Sequence, residues 1–136
     1  MKRVRDLMKS PVVTAKPGDK LSSLMAMVSS RKIRHFPIVE DGKVVGVVTD
    51  SDLRSASTHP AVYDLLLDAL ASLDRGSVGE VMSREVISVP PDIPMVQAAQ
   101  IMLKHHISCL PVVADGRLVG IVTTTDVMAA FAAQNS

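Results

Sequence analysis

The stretch Val44–Leu53 (VVGVVTDSDL) decides the fold of this chain, and it occurs twice; its second copy is Leu118–Val127 (LVGIVTTTDV). In each copy a short apolar run, rich in β-branched residues, ends at a threonine, and an aspartate follows three residues later. The apolar run predicts a buried strand, and Thr-x-x-Asp predicts the start of a helix. Each copy therefore predicts a strand-to-helix corner where a hydroxyl, a carboxylate and free backbone N–H groups could hold a polar ligand.

The rest of the chain repeats in the same register as these corners. An offset of 74 residues pairs Met8 with Met82 and Asp52 with Asp126, and no gap is needed from Val4 to Asp52. Two copies indicate a duplicated unit, because a solenoid needs at least three. Each copy reads as an apolar opening, a short strand, a turn, a helix, a hairpin of two strands and the corner helix. The predicted unit is β-α-β-β-α, twice.

The local signals place each element of this unit. Short strands are expected at 12–14 and 86–88, followed by turns and helix caps at Pro17-Gly18-Asp19 and Pro91-Asp92. Asp-Gly pairs at 41–42 and 115–116 predict the hairpin turns. The apolar face of each long helix is predicted from its spacing: Leu21, Leu24, Met25 and Val28 in the first copy, and Met95, Ala98, Ala99 and Met102 in the second.

Composition narrows the class of protein. The 136 residues are 47% apolar and 21% charged, as in ordinary globular domains, and the net charge of +1 gives no strong field for nucleic acid or an acidic membrane. Few aromatic residues argue against stacking on single-stranded nucleic acid. The chain has a single cysteine, Cys109, and so cannot form an internal disulfide, which fits a reducing compartment. No apolar run approaches the roughly 18–20 residues that span a bilayer, and Met1-Lys2-Arg3 opens no secretory signal. We expect a cytoplasmic protein.

The predicted organisation is a first repeat at 1–58, a linker at 59–77 and a second repeat at 78–136. The linker carries an apolar stripe at helical spacing, which predicts a helix: Val62, Leu65, Leu66, Ala69, Leu70 and Leu73. This stripe could pack on its own domain or contribute to a dimer contact.

Each copy resembles the cystathionine β-synthase (CBS) domain. The resemblance rests on the opening Leu7-Met8, on Pro37 or Pro111 in the second strand, and on the corner motif Gly-h-h-Thr-x-x-Asp, in which h is an apolar residue. The two copies together resemble the CBS pair, or Bateman module, over nearly the whole chain. This resemblance implies a mixed α/β (α+β) fold in which two repeats pack about a pseudo-two-fold axis and leave two clefts. It also implies a regulatory, non-catalytic module that binds AMP, ADP, ATP or S-adenosylmethionine and forms a homodimer.

The resemblance further implies which residues bind the ligand. Asp126 with Thr123, and Asp52 with Thr49, would hold the ribose hydroxyls, since a carboxylate can accept two hydrogen bonds from a cis-diol. The cleft of Asp126 would be completed by Val12, Val13, Thr14, Lys16, Ile33, Arg34, His35 and Pro37. The cleft of Asp52 would be completed by Val86, Ile87, Ser88, Ile107, Ser108, Cys109 and Pro111.

These two clefts differ in charge. Arg34, His35 and Lys16 are matched in the other repeat by Ser108, Cys109 and Pro90. Because a phosphate chain needs charged donors, we expect a nucleotide to prefer the Asp126 cleft. The Asp52 cleft would be empty, weaker or suited to a less charged adenosyl compound.

Several of these residues have a purely structural interpretation. The Thr-x-x-Asp pairs could serve only as helix caps, and Arg34 with His35 could simply be solvated or face a helix end. Cys109 is expected to be a small buried side chain, and four methionines are expected to fill the core: Met25, Met27, Met95 and Met102. His105-His106 has no partner at metal-ligand spacing, so no metal site is expected.

Three functions compete at this point. The leading one is a ligand sensor in which an adenosine compound changes the packing of the repeats. The second is a ligand-independent scaffold, in which the paired repeats and the helix expected at 62–73 build a dimer or docking surface. A dimer contact would gain support if the apolar residues of 124–133 proved exposed. Nucleic-acid binding is the third and is disfavoured by the charge. No phosphate-binding loop, dinucleotide fingerprint or catalytic triad is recognisable, so an enzyme is not expected.

Overall fold

The structure is a computed structural model that describes residues 2–55 and 77–134. The linker helix predicted at 62–73 therefore lies outside the described residues. In the described part of the chain, no helix is long and apolar enough to cross a membrane.

Two β-hairpins carry the strand-to-helix corners. Strands β1 (His35–Glu40) and β2 (Lys43–Thr49) form the first, and β3 (Cys109–Ala114) and β4 (Arg117–Thr123) form the second. Both turn residues of each hairpin have positive φ, 53° and 79° in the first and 52° and 77° in the second. That geometry is what Asp-Gly turns favour, so the predicted hairpins are confirmed.

The helices follow the predicted order. The long helices are α2 (Leu21–Arg31) and α5 (Met95–His105), and both end at a residue in the left-handed conformation, Lys32 and His106. The corner helices are α3 (Asp50–Ser55) and α6 (Thr124–Gln134). Two short helices, α1 (Val4–Leu7) and α4 (Val78–Val81), form the openings of the repeats.

The strands predicted at 12–14 and 86–88 are wrong in extent. Neither segment forms a strand, and a single parallel bridge follows each of them, from Ala15 to Ile38 and from Val89 to Val112. Prolines explain this limit, because they lack the N–H group that a longer ladder needs. The next hydrogen bonds on either side of the Ala15 bridge would require N–H groups at Pro17 and Pro37.

The helix caps predicted at Asp19 and Asp92 are also wrong. Lys20 and Pro94 are the N-cap residues of α2 and α5, and neither makes a side-chain cap hydrogen bond. The Asp19 carboxylate instead accepts a hydrogen bond from the Lys16 N–H at 2.8 Å, which closes the preceding turn.

The described residues divide into two compact units, and the division differs from that of the sequence repeats. One unit combines Met1–Val12 with Ile87–Ser136, and the other is Val13–Val86. The opening segment of each repeat thus packs with the body of the other repeat. We call them the Asp126 unit and the Asp52 unit after the corner that each contains.

Each unit has its own apolar core. In the Asp126 unit, Val4 from the opening segment is fully buried beside residues of the second repeat: Val89, Ala98, Met102, Leu110, Val112 and Val122. In the Asp52 unit, Val78 occupies the matching place beside Ala15, Leu21, Leu24, Phe36, Ile38, Val48, Leu53 and Met82. The predicted helix faces and the predicted core role of the methionines are confirmed, since Met95 and Met102 are buried and Met25 and Met27 pack against the Asp52-unit core.

The opening segments approach the hairpins closely at two glycines. Lys9 forms an antiparallel bridge with Ile121, and Ser83 forms the equivalent bridge with Val47. At the neighbouring glycines, an added Cβ would lie 2.6 Å from Met8 Sδ at Gly120 and 2.7 Å from Met82 Sδ at Gly46. Only glycine leaves room for these approaches.

Candidate functional site

The Asp126 corner forms where β4 ends and α6 begins. The Thr123 N–H donates to Asp126 Oδ2 at 2.9 Å, and the Asp126 N–H donates to Thr123 Oγ1 at 3.2 Å. The Thr123 hydroxyl also donates to Asp126 Oδ2 at 3.0 Å. These reciprocal bonds make a capping box, so Thr123 and Asp126 cap the start of α6.

The cap uses one oxygen of the Asp126 carboxylate. Its other oxygen, Oδ1, lies 3.5 Å from the ammonium nitrogen of Lys9, which belongs to the opening segment of the chain. The Asp126 side chain is 10% exposed and that of Lys9 is 70% exposed. A carboxylate oxygen can accept more than one hydrogen bond, so Oδ1 retains capacity for a ligand hydroxyl.

The Asp52 corner repeats this cap. The Thr49 N–H donates to Asp52 Oδ2 at 2.9 Å, and the Asp52 N–H donates to Thr49 Oγ1 at 3.2 Å. No side chain described in 2–55 or 77–134 forms an ion pair with Asp52. The two corners thus share their cap but differ in the surroundings of the second carboxylate oxygen.

The end of the preceding strand adjoins each corner. His35 is the register partner of Thr49, and the Asp50 N–H donates to the Arg34 carbonyl at 2.9 Å. Cys109 is likewise the partner of Thr123, and the Thr124 N–H donates to the Ser108 carbonyl at 2.9 Å. Arg34 and His35 therefore lie beside the corner of their own unit, a proximity that the sequence reasoning did not consider.

The residues predicted for each cleft come from both compact units. For the Asp126 cleft, Asp126, Thr123 and Val12 belong to the Asp126 unit, and the remainder belong to the Asp52 unit: Val13, Thr14, Lys16, Ile33, Arg34, His35 and Pro37. For the Asp52 cleft, Asp52, Thr49 and Val86 belong to the Asp52 unit, and the remainder belong to the Asp126 unit: Ile87, Ser88, Ile107, Ser108, Cys109 and Pro111. Each predicted cleft stays a prediction, while the cap at its corner is established.

Burial separates these residues further. Arg34, Lys16 and Ser108 are exposed. The side chains of Pro37 and Pro111 are fully buried, so they offer little surface to a ligand. Cys109 is 6% exposed, in agreement with its predicted role as a small buried side chain.

Lys9 is the residue of the site that sequence reasoning missed. It lies far from Asp126 along the chain and reaches it only because the opening segment bridges β4 at Ile121. The repeat offset contained a signal, because it pairs Lys9 with the uncharged Ser83. His105 and His106 are both exposed, and the described residues contain no cluster of three or more potential metal ligands.

Two copies of one small fold, each ending in a capped Thr-x-x-Asp corner, define a tandem-repeat module. The family model of the CBS domain matches residues 4–59 and 78–133, and the chain belongs to that family. The fold class and the CBS-pair resemblance are thereby confirmed.

Individual relatives agree with this assignment. The CBS domain-containing protein YhcV of Bacillus subtilis is 31% identical over 126 residues, which span 93% of this chain and 83% of that protein. The CBS domain pair of protein MJ0100, solved in complex with 5′-methylthioadenosine and S-adenosyl-L-methionine, superposes with a TM-score of 0.78 at 29% identity and covers 98% of both chains. CBSX2 in complex with AMP superposes with a TM-score of 0.79 at 25% identity over 100% of both chains. Relatives that carry enzyme names match this chain over only 23% of their own length.

Proposed function

We propose that this CBS pair is a regulatory module that binds an adenosine-containing ligand, AMP, ADP, ATP or S-adenosylmethionine, and does not transform it. The observation that carries this proposal is the geometry of the two corners. At each, the cap uses Oδ2 of the aspartate and leaves Oδ1 outside the cap. Similar CBS pairs hold 5′-methylthioadenosine, S-adenosylmethionine and AMP, and these three compounds all contain adenosine.

The corner chemistry suits the ribose of such a ligand. A carboxylate whose orientation is fixed by its own cap can accept hydrogen bonds from vicinal hydroxyls without first being ordered, and this lowers the entropic cost of binding. Hydrogen bonds to a charged acceptor contribute about 1.5–3 kcal/mol each. The proposed ligand contacts are the two predicted residue sets, with the Asp126 cleft favoured for a phosphorylated nucleotide because Arg34, His35 and Lys16 are basic.

A ligand of this kind would act by shifting a conformational equilibrium. It changes the output of the module only if it binds two arrangements with unequal affinity. The regulated target is then a partner protein or a second copy of the chain. A cytoplasmic setting completes the proposal and is supported by the lone cysteine, Cys109, which fits a reducing compartment.

A dimerisation scaffold is a second candidate because one specific observation favours it. Four large apolar side chains are exposed on α5 and α6, which pack together: Val96 (50% exposed), Leu103 (76%), Met128 (71%) and Phe131 (63%). Exposed apolar surface of this kind marks interaction sites. A homodimer through this face is compatible with ligand sensing, and the two candidates differ in whether a ligand is required.

The test is binding of AMP, ADP, ATP, S-adenosylmethionine and NAD, measured by titration calorimetry and by thermal shift. We expect at least one adenosine compound to bind and raise the unfolding temperature, since a ligand that binds only the folded state stabilises it. Asp126→Asn and Asp52→Asn should weaken binding, because each removes a charge and keeps an oxygen for the cap.

Asp115→Asn is the matched control, because it removes an exposed carboxylate from the hairpin turn of the Asp126 unit. Its affinity should equal that of the unmodified protein. If no compound binds, or if all three variants bind alike, the sensing proposal fails and the scaffold remains.

A further inference from the structure

The contact between Lys9 and Asp126 distinguishes the two corners. Asp126 Oδ2 is engaged by the N–H and the hydroxyl of Thr123, so Oδ1 is the oxygen that faces away from the cap. The Lys9 ammonium lies 3.5 Å from that same oxygen. A ribose hydroxyl that binds Asp126 outside its cap must therefore share Oδ1 with the ammonium group or displace it.

The backbone of Lys9 is fixed beside the corner even though its side chain is mostly exposed. The Lys9 N–H donates to the Ile121 carbonyl at 2.9 Å, and the Ile121 N–H donates to the Lys9 carbonyl at 3.1 Å. Because the lysine side chain has a flexible four-carbon stem, a displaced ammonium can move by several ångströms. It cannot leave the neighbourhood of Asp126 while the bridge persists.

At the Asp52 corner, Ser83 takes the place of Lys9. Ser83 makes the matching bridge, with its N–H donating to the Val47 carbonyl at 2.9 Å and its carbonyl accepting from the Val47 N–H at 3.1 Å. Its short neutral side chain cannot make the ion pair that Lys9 makes, and the basic residues that adjoin this corner, Arg34 and His35, come from the start of the hairpin instead. The two corners thus share the backbone bridge and differ in the charge of the residue that makes it, Lys9 or Ser83.

We propose that Lys9 is a charge-selecting residue at the Asp126 corner, which favours anionic adenosine ligands over neutral or cationic ones. In the free protein its ammonium group compensates the Asp126 carboxylate. A ligand that takes Oδ1 releases the ammonium, and a ligand with a phosphoryl group offers that ammonium a new counter-charge. The uncharged thioether of 5′-methylthioadenosine offers none. This inference rests on the proposed function and adds the class of ligand to it.

The size of the effect follows from the exposure of Lys9. Ion pairs of exposed side chains contribute little, and the range measured for them corresponds to about 1.5- to 5-fold in an equilibrium constant. A neutral ligand displaces the ammonium group and offers no new partner, so loss of the Lys9–Asp126 pair should weaken its binding by about that factor. Regaining a pair with phosphate should strengthen an anionic ligand by about the same factor. An anionic ligand thus loses one ion pair and gains another, so its affinity should change little, and the ratio of the two affinities should depend on Lys9 by about 1.5- to 5-fold.

The experiment compares AMP with 5′-methylthioadenosine, which share adenosine and differ in the charge at the 5′ position. Dissociation constants are measured by calorimetry on the full chain with Asp52→Asn, which isolates the Asp126 corner. Lys9→Met keeps the stem and removes the charge, and it should lower the preference for AMP by about 1.5- to 5-fold. Lys9→Arg keeps the charge and should retain the preference.

The reciprocal exchange is the matched control. In the chain with Asp126→Asn, Ser83→Lys should raise the preference for AMP at the Asp52 corner. An unchanged AMP preference in Lys9→Met, or an equal loss in Lys9→Met and Lys9→Arg, would overturn the charge-selecting role and leave adenosine binding intact. Absence of binding by both compounds to the unmodified protein would remove the proposed function and this inference together.

Discussion

Replacement of Gly46 by alanine tests the packing of the opening segment of the second repeat against the first hairpin. A Cβ at Gly46 would lie 2.7 Å from Met82 Sδ and 2.9 Å from the carbonyl oxygen of Ser83. The sulfur belongs to a side chain that can rotate. The carbonyl is part of the bridge and accepts the Val47 N–H at 3.1 Å, so it can move only if that hydrogen bond is disturbed.

We expect Gly46→Ala to lower the free energy of unfolding by about 1–3 kcal/mol, the usual cost of overpacking. For a chain of this size, 1 kcal/mol corresponds to a shift of about 3–5 °C in the unfolding temperature, so the expected decrease is roughly 3–15 °C. Gly120→Ala should cost less, because its Cβ would lie 2.6 Å from Met8 Sδ but 3.2 Å from the nearest backbone atom, the Lys9 carbonyl oxygen.

The assay is urea unfolding monitored by circular dichroism, with thermal unfolding as a second measurement. Gly18→Ala is the control, since nothing lies within 4 Å of a Cβ at that position. It should change stability by less than about 0.5 kcal/mol. If Gly46→Ala were as stable as Gly18→Ala, the close approach of Ser83 to the first hairpin would be refuted.

Two further predictions concern the caps and the exposed helical face. Asp126→Ala should lower the free energy of unfolding by about 0.5–2 kcal/mol through loss of the cap. Asp126→Asn should lower it by less. Equal urea midpoints for the alanine variant and the unmodified protein would contradict the role of Asp126 in the cap. Leu103→Asp should shift the protein from dimer to monomer in analytical ultracentrifugation if α5 and α6 form the contact, because an unpaired charge is costly in an apolar interface. Ser29→Asp, the same position in the first repeat, should leave the mass unchanged, and a persistent dimer in Leu103→Asp would exclude this face.

The sequence was sufficient to predict the elements that depend on local chemistry. Asp41-Gly42 and Asp115-Gly116 specify hairpin turns through their tolerance of positive φ, and the structure has positive φ at all four positions. The limited extent of the first strand was not predicted: Pro17 and Pro37 remove the N–H groups on either side of the Ala15 bridge, but the position of that bridge is known only from the structure.

The exchange of opening segments could not be predicted from the same reasoning. Val4 and Val78 occupy matching positions of the two repeats, and both are fully buried. The two cores are chemically alike, so the hydrophobic pattern does not indicate which core each valine enters. Long-range packing decides this, and it also brings Lys9 to Asp126. The Thr-x-x-Asp corners were therefore predictable, whereas the charge beside one of them required the structure.

The central claim is that an aspartate at a capped corner binds the ribose diol of an adenosine ligand. Its most direct test is the dissociation constant of AMP compared with that of 2′,3′-dideoxy-AMP, which lacks only the two hydroxyl groups. Loss of a single hydrogen bond to a charged acceptor weakens binding by about 10- to 150-fold, so the dideoxy compound should bind at least that much more weakly. The difference should largely disappear in the chain that carries both Asp52→Asn and Asp126→Asn. Equal affinities of the two nucleotides for the unmodified protein would contradict the claim.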